Sequence, residues 1–341
     1  MPLPKNVAHG RRWYLRSLIS LTIAVSVSCL GVSLVFLYQT IRAPVNPTEQ
    51  FLVVTPGTGT KDLAEQLVSE GFAKSDWSVI AWAVLSGTSG TFKSGEYLIP
   101  ENTSPSKILG KISRGDAHQR KLTIVEGLRF SQLRDRLRKE KALTSTAVQM
   151  PEASLADHLS LSTPSLEGAF FPATYFFLLG DSDTSILERA ARKMEKELLQ
   201  AWDARAPNLL LKDPYEALIM ASIIQKEAML ESEMPRISGV FHNRLRLKMR
   251  LQTDPTVIFG LGSDFKGPLK RSHLKKDSPY NTYTRGGLPP GPIALPGRAA
   301  LNAALNPLTT EDLYFMAKGD GSHKFSKTLE EHNRAVKKYR R

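Results

Sequence analysis

Residues 213–230, DPYEALIMASIIQKEAML, are the stretch around which the rest of this chain is organised. Asp213 is a typical N-cap, Pro214 suits the first helical position, and Glu216 completes a capping box, so a helix is predicted to begin here. At about 100° per residue, one stripe of that helix carries four aliphatic side chains followed by one carboxylate. The stripe consists of Ile219, Met220, Ile223, Ile224 and Glu227.

Glu227 therefore continues an apolar face. A carboxylate packed against aliphatic side chains loses hydration of its charged form, so its pKa should rise until it can donate a proton near neutral pH. Glu227 is thus the candidate catalytic acid, whereas Gln225 lies on the other side of the helix. The alternative is that Glu227 marks the helix end and reaches water.

Composition and charge exclude several classes of protein. A chain of 341 residues can hold two modest domains, and its net charge of +13 is concentrated at the two ends, residues 1–17 and 334–341. No basic stripe runs through the body, so no nucleic-acid partner is predicted. The single cysteine, Cys29, excludes an internal disulfide and a CxxC metal site. No metal and no cofactor are predicted.

Residues 18–38 contain no charged residue and are long enough to cross a bilayer as a helix. Basic residues are dense before this segment and sparse after it, which predicts a single-pass membrane protein with a cytoplasmic tail over residues 1–17 and the remainder across the membrane. A cleaved signal peptide is the alternative, but no small-residue cleavage site is found. A short linker is predicted over residues 39–50.

Residues 51–115 read as a compact α+β module in the order strand, helix, helix, strand, with a further helix at the end. This order resembles a LysM glycan-binding module, and the matching pieces are VTPGTGTKDLAEQL and FKSGEYLIP. An ordinary α+β spacer is the alternative. The remainder, residues 116–341, is predicted to be an α+β catalytic domain.

A loop of unusual composition follows the central helix. Residues 278–297, SPYNTYTRGGLPPGPIALPG, contain five prolines and four glycines, which excludes regular structure. The amide, hydroxyl and aromatic groups of Asn281, Thr282 and Tyr283 are typical of a sugar-binding wall, although a packed surface loop would have the same composition. His242 has no metal-ligand spacing around it and is predicted to be a hydrogen-bonded structural residue.

Several motifs occur together and in order in this chain. They are ASIIQKEA, VFHNRLRLKMRLQTDPTVIFGLG, SPYNTYTRGGLPPGPIALPG, LYFMAKGDGSHKF and EEHNRAV. In these motifs, and in VEGLRF and the FFPxTY segment, residues 51–336 resemble the MltG-type (YceG-like) endolytic murein transglycosylases. The sequence departs from the family pattern at Gln225, where a glutamate is usual, and at Ala173, where an aspartate is usual.

The resemblance implies an enzyme, a peptidoglycan lyase, that cleaves MurNAc–GlcNAc β-1,4 bonds without water and leaves 1,6-anhydroMurNAc ends. It places the catalytic acid at Glu227 and implies that such an enzyme terminates growing glycan strands beside peptidoglycan synthases of the elongation machinery. The candidate substrate-binding residues are Gln252, Thr253, Asn281, Thr282, Tyr283, His323 and Asn333.

Three other functions stay open. A lysozyme-type hydrolase would need a second carboxylate from Glu231, Glu233 or Asp254. A membrane-tethered wall-binding scaffold would need no catalytic residue. A pyridoxal-phosphate lyase would need a Schiff-base lysine in a cytosolic domain.

Overall fold

A computed structural model of the chain describes residues 7–46, 48–262 and 265–339. Part of the predicted tail at residues 1–17, Pro47 of the predicted linker, and the terminal Arg340 and Arg341 lie outside these residues. The chain divides into two compact units, Met1–Gln119 and Arg120–Arg341. The fold is mixed α+β, as predicted.

The first unit begins with a long helix, α1 (Val7–Arg42). Within the described residues, Trp13–Arg42 is the one helix long and apolar enough to cross a membrane, with 30 residues and a mean hydropathy of 2.3. Helix α1 extends into the first residues of the segment 39–50 that was predicted as a linker. The helix continues to Arg42 because its last turn is buried: Ile41 is fully enclosed in the core of this unit.

The rest of the first unit is a small two-stranded sheet covered by three helices. The elements are β1 (Gln50–Val54), α2 (Thr60–Ser69), α3 (Asp76–Leu85), β2 (Gly95–Ile99) and α4 (Pro105–Arg114). Strands β1 and β2 are antiparallel, with Leu52 opposite Tyr97. Alternate residues of β1, Leu52 and Val54, are buried against Leu63 and Ile108 of the helices, as the period of two of a half-buried strand requires.

The second unit contains nine helices and two antiparallel strand pairs among its described residues. Its first half comprises β3 (Arg120–Thr123), α5 (Phe130–Lys139), α6 (Glu152–His158), β4 (Thr174–Phe177), α7 (Asp183–Asp203) and α8 (Pro214–Glu227). Its second half comprises α9 (Met234–Arg246), α10 (Asp254–Gly260), α11 (Arg271–Lys275), α12 (Arg298–Leu305), β5 (Tyr314–Ala317), β6 (His323–Ser326) and α13 (Leu329–Tyr339). Strand β3 pairs with β4, and β5 pairs with β6.

Helix α8 is the centre of this unit. The Asp213 side chain caps it by accepting the Glu216 N–H at 2.8 Å. Every residue from Ala217 to Ile224 is buried, so the helix is enclosed on all sides rather than along the single stripe that the sequence suggested. The reason is that α7, α9, α10 and α12 all pack against it. Burying each of its large aliphatic side chains stabilises the fold by about 1.5–3 kcal/mol.

The proline-rich loop, residues 278–297, is attached to α8 by side-chain hydrogen bonds. Ser222 accepts the N–H of Ile293 at 3.0 Å, and Gln225 accepts the N–H of Gly297 at 2.9 Å. Gly168 approaches the loop closely: it has a φ of +80°, and a Cβ there would lie 2.7 Å from Pro292. Because both conditions exclude a side chain, only glycine fits at this contact. The loop is therefore held at a defined position beside the end of α8.

Candidate active site at the end of helix α8

Glu227 is the last residue of α8, and the chain leaves the helix at Ala228. The residue as a whole is half-buried, and its carboxyl group is surrounded by protein atoms. Loss of hydration, opposed by a hydrogen bond from Thr253, raises the pKa of Glu227 to about 7. At neutral pH, Glu227 is therefore protonated in a large fraction of the molecules, and it can supply the proton that a general acid must donate.

Thr253 binds Glu227 directly. Its hydroxyl donates a hydrogen bond to Oε1 of Glu227, and it occupies the N-cap position of α10. Two further threonines hold it in place: its N–H donates to Oγ1 of Thr282 at 3.0 Å, and its carbonyl accepts from Thr256 at 2.8 Å. Thr256 and Thr282 also share a hydrogen bond of 2.9 Å. This buried network fixes the orientation of the Glu227 carboxyl group.

Asp254 and Tyr283 form a second pair beside the acid. The Tyr283 hydroxyl donates to Oδ1 of Asp254 at 2.6 Å. The negative charge of Asp254 contributes to the raised pKa of Glu227, while burial and Asp254 raise the pKa of Tyr283, so its hydroxyl stays protonated. We refer to Glu227, Thr253, Asp254 and Tyr283 as the Glu227 site.

Gln252 precedes Thr253 and is exposed, with a φ of +51°, in the left-handed region that non-glycine residues rarely adopt. Arg244 supports this conformation. Its guanidinium is buried and donates to the carbonyls of Leu251 at 2.8 Å and Leu313 at 2.7 Å, with a longer bond of 3.4 Å to Oε1 of Gln252. The exposed amide of Gln252 can reach a ligand, and Arg244 holds the segment that carries it.

Arg244 was not among the residues predicted from the sequence. The signal was present, because Arg244 continues the helical spacing of Ile237, Val240 and Phe241 on the buried face of α9. A charged residue on an apolar stripe of a helix indicates a buried polar contact. This is the case for Arg244 on α9, as it is for Glu227 on α8.

Asn281, predicted to bind substrate, lies with its side chain inside the loop. Its amide group is buried and donates to the carbonyls of Leu274 and Lys276, while its Oδ1 accepts the Tyr283 N–H at 2.9 Å. All its polar atoms are used within the protein, so it shapes the loop. Thr282 is also buried and contacts Thr253 rather than open space, so of the three loop residues predicted to bind substrate only Tyr283 is partly exposed.

His323 and Asn333 lie apart from this network. His323 begins β6, is buried, and bonds through Nδ1 to Oε2 of Glu233 at 2.7 Å. Asn333 is exposed on α13 and makes no contact with Glu227 among the described residues. His242 is buried, with Nε2 2.9 Å from the carbonyl oxygen of Ala304, which is the structural environment predicted for it. The described residues contain no cluster of three or more potential metal ligands.

The two departures from the family pattern occupy supporting positions. The Oε1 atom of Gln225 accepts the Gly297 N–H, a bond that a glutamate carboxylate would also accept. Ala173 accepts the Ile124 N–H at 2.9 Å through its backbone carbonyl and packs between the two hydrophobic cores of this unit. Neither residue contacts Glu227.

Replacing Thr253 with valine is expected to raise the pKa of Glu227 further and to lower activity about tenfold. The pKa rises because the hydroxyl that stabilises the ionised form is lost, and activity falls because the carboxyl group loses its fixed orientation. Carbon-detected NMR of the glutamate carboxyl gives the pKa, and a pH–rate profile gives its kinetic counterpart. A pKa that stays in place or falls would show that this hydrogen bond does not stabilise the carboxylate.

Comparisons with known proteins cover most of the chain. The sequence model of the YceG-like family matches residues 52–338. A protein of Bacillus subtilis named endolytic murein transglycosylase is 32% identical over 327 residues, covering 89% of each chain. A protein of that name from Streptococcus pneumoniae D39 is 30% identical over 177 residues, which are 50% of this chain and 32% of that protein.

One solved structure is similar along its full length. A yceG-like protein of Listeria monocytogenes is 29% identical and superposes with a TM-score of 0.55, covering 85% of this chain and 100% of that one.

Proposed function

This chain belongs to the YceG-like family, and on that premise we propose that it is a membrane-anchored endolytic lytic transglycosylase of peptidoglycan. The bond cleaved is the β-1,4 linkage between MurNAc and GlcNAc. The observation that carries the proposal is Glu227: a single carboxyl group with a pKa of about 7, held by Thr253 at the rim of a site bounded by the proline-rich loop.

The chemistry needs only one proton-transfer group. Glu227 donates its proton to the glycosidic oxygen, and the bond from that oxygen to C1 of MurNAc breaks, releasing GlcNAc with a free 4-hydroxyl. The 6-hydroxyl of the same MurNAc then attacks C1, and its proton passes to the Glu227 carboxylate. The product is a 1,6-anhydroMurNAc end, no water is consumed, and Glu227 is protonated again for the next cycle.

The neighbouring groups stabilise this path. C1 becomes positively charged and oxocarbenium-like as the bond breaks, so the Asp254 carboxylate is suited to stabilise it electrostatically. Tyr283 holds Asp254 through the 2.6 Å hydrogen bond. The exposed amide of Gln252 is available to bind a sugar hydroxyl or the N-acetyl group. His323 and Asn333 remain weaker candidates for contacts with more distant sugars.

A lysozyme-type hydrolase is the second candidate, and the position of Asp254 favours it over a wall-binding scaffold or a pyridoxal-phosphate lyase. Hydrolysis requires a second carboxylate near the acid, and Asp254 interacts with Glu227. Glu233 is engaged with His323, and Glu231 is exposed on the turn after α8.

Product analysis separates the two reactions. The full-length protein, solubilised in detergent, is incubated with purified peptidoglycan in water enriched in a heavy isotope of oxygen. The fragments are then analysed by mass spectrometry. We expect anhydroMurNAc ends, which are lighter than hydrolysis products by one water molecule and carry no heavy oxygen. Reducing MurNAc ends labelled with heavy oxygen would reject the transglycosylase and favour the hydrolase.

The remaining features complete the proposal. Helix α1 anchors the protein in the bacterial inner membrane with residues 1–17 in the cytoplasm and the enzyme outside it, close to nascent strands that peptidoglycan synthases extend. Residues 51–115 act as a LysM-like module that binds glycan, and cleavage by residues 116–341 terminates strand growth. Protease accessibility of the two sides of inverted membrane vesicles tests the orientation.

A further inference from the structure

A second recess, here called the cationic cleft, lies next to the Glu227 site. It has a volume of about 380 Å³ and is lined by Arg129, Gln132, Lys226, Pro255, Ile258 and Phe265, among others. Two of its lining residues are cationic and four, with Ile293 included, are apolar. The mechanism proposed above uses none of them.

The cleft and the acid share structural elements. Lys226 directly precedes Glu227 on α8. Pro255 and Ile258 belong to α10, whose N-cap residue Thr253 binds the Glu227 carboxyl group. The cleft is therefore built on the same two helices, α8 and α10, that hold the Glu227 site.

The two cations of the cleft are held by neutral groups. Lys226 donates through Nζ to the Gly127 carbonyl at 3.2 Å. Arg129 donates to the Gly262 carbonyl at 3.4 Å, and its guanidinium stacks 5.0 Å from the centre of the Phe259 ring. In the described part of the chain neither forms an ion pair with a carboxylate. Both retain hydrogen-bond donors for a ligand, since an ammonium has three and a guanidinium five.

The Glu167 carboxyl group interacts electrostatically with both cations, and it is only partly ionised. Glu167 is half-buried and accepts the Phe130 N–H at 3.1 Å. Burial raises the pKa of Glu167 to about 7, so near neutral pH it carries roughly half a negative charge against two positive ones. Burial, and after it repulsion from Arg129, lowers the pKa of Lys226, and an anion bound between the two cations would relieve that repulsion.

We propose that the cationic cleft binds a carboxylate of the peptide carried by the MurNAc unit whose bond is cleaved. This inference rests on the proposed function, because only a peptidoglycan strand presents such a group there. In that polymer the peptide is joined to the lactyl group of MurNAc, the sugar whose C1 reacts, and it combines free carboxylates with small aliphatic side chains. Arg129 and Lys226 are suited to bind the free carboxylates. Pro255, Ile258 and Phe265 are suited to contact the small aliphatic side chains.

The test measures binding in full-length protein carrying Glu227→Gln, so that the ligand is not consumed. Three synthetic tetrasaccharides are compared by titration calorimetry: one with peptides, one with the same peptides amidated at every carboxyl group, and one without peptides. We expect the carboxylate form to bind at least about tenfold more tightly than the other two, as a charged hydrogen bond would require.

Further substitutions test whether Arg129 and Lys226 cause the preference for the carboxylate form. Adding Arg129→Gln or Lys226→Gln should remove most of the tenfold difference, Arg129→Lys should retain part of it because it keeps the charge, and Lys139→Gln should retain all of it. Lys139 is a matched control at the exposed end of α5, away from the cleft. Equal binding of the carboxylate and amidated forms would overturn the proposal, as would a variant that weakens all three ligands by the same factor.

Failure of the peptide site is distinguishable from failure of the proposed function. If the tetrasaccharide without peptides binds and the enzyme with an intact Glu227 makes anhydro products, but no carboxylate preference exists, only the peptide site is wrong. If no tetrasaccharide binds and no anhydro product forms, both proposals are overturned.

Discussion

Replacing Glu227 with glutamine is expected to reduce the release of anhydroMurNAc fragments by at least about 1,000-fold. General acid catalysis contributes about 100- to 10,000-fold, and in the proposed mechanism this single group both donates and accepts the proton, so both halves of the reaction would lose it. Glutamine keeps the shape of the side chain and can still accept the Thr253 hydrogen bond. The measurement is the initial rate of muropeptide release from purified sacculi.

The matched control is Glu195→Gln, which removes an exposed carboxylate from α7 in the same unit. Its rate should stay within about twofold of the unchanged protein, as expected for a surface substitution. Full activity of the Glu227→Gln protein would instead show that Glu227 is not the catalytic acid, whereas a scaffold that binds cell wall without cleaving it would release no fragments even with Glu227 intact.

Folding of the Glu227→Gln variant can be checked by the sign of its stability change. The pKa of Glu227 is higher in the folded protein, about 7, than the 4.5 of a solvated side chain, so ionisation destabilises the fold. Between these two pH values the free energy of unfolding falls as pH rises. Glutamine has no such dependence, so the variant should melt at the same or a higher temperature at pH 8, and a loss of activity there cannot be ascribed to unfolding.

The second large effect is on pH dependence: kcat/KM should fall about 50-fold between pH 7 and pH 9, because half of the acid is protonated at pH 7. The reaction begins with a protonated acid, and above its pKa the protonated fraction drops tenfold per pH unit. A solvated glutamate would show the same decline from about pH 4.5 upward. The rate on a soluble glycan oligomer, measured from pH 5 to pH 9, distinguishes the two.

Glu167 requires a separate control, because burial also raises its pKa to about 7. In a Glu167→Gln variant the decline should remain at the same pH if Glu227 is the group that titrates. A decline that disappears in this variant would assign the pH dependence to Glu167 and remove the support for Glu227 as the acid.

Local patterns in the sequence are sufficient for much of this structure. The cap at Asp213 and Pro214 predicts the start of α8, which the structure shows at Pro214. The helical period places Glu227 at the end of an apolar run, and an uncharged segment predicts a helix long enough to span a membrane. Each of these depends on residues within a few positions of one another, where backbone geometry alone sets the spacing.

The site itself depends on contacts between distant segments. Thr253 and Glu227 are 26 positions apart, and Thr253 and Thr282 are 29 apart. Whether a polar side chain faces a cleft or the interior is decided by which backbone groups packing brings near it. For this reason the Asn281 amide, predicted from its chemistry to bind substrate, donates its hydrogen bonds to the carbonyls of Leu274 and Lys276 instead.

The sequence alone thus predicted the candidate acid, the central helix and a helix long enough to span a membrane, because helical periodicity and hydrophobicity are local properties. Only the tertiary structure decided the partners of that acid, the enclosure of α8 on all sides, the role of Arg244 and the cationic cleft. These arise when α8, α9, α10 and the proline-rich loop pack together, and burial and through-space charge interactions exist only once they have done so.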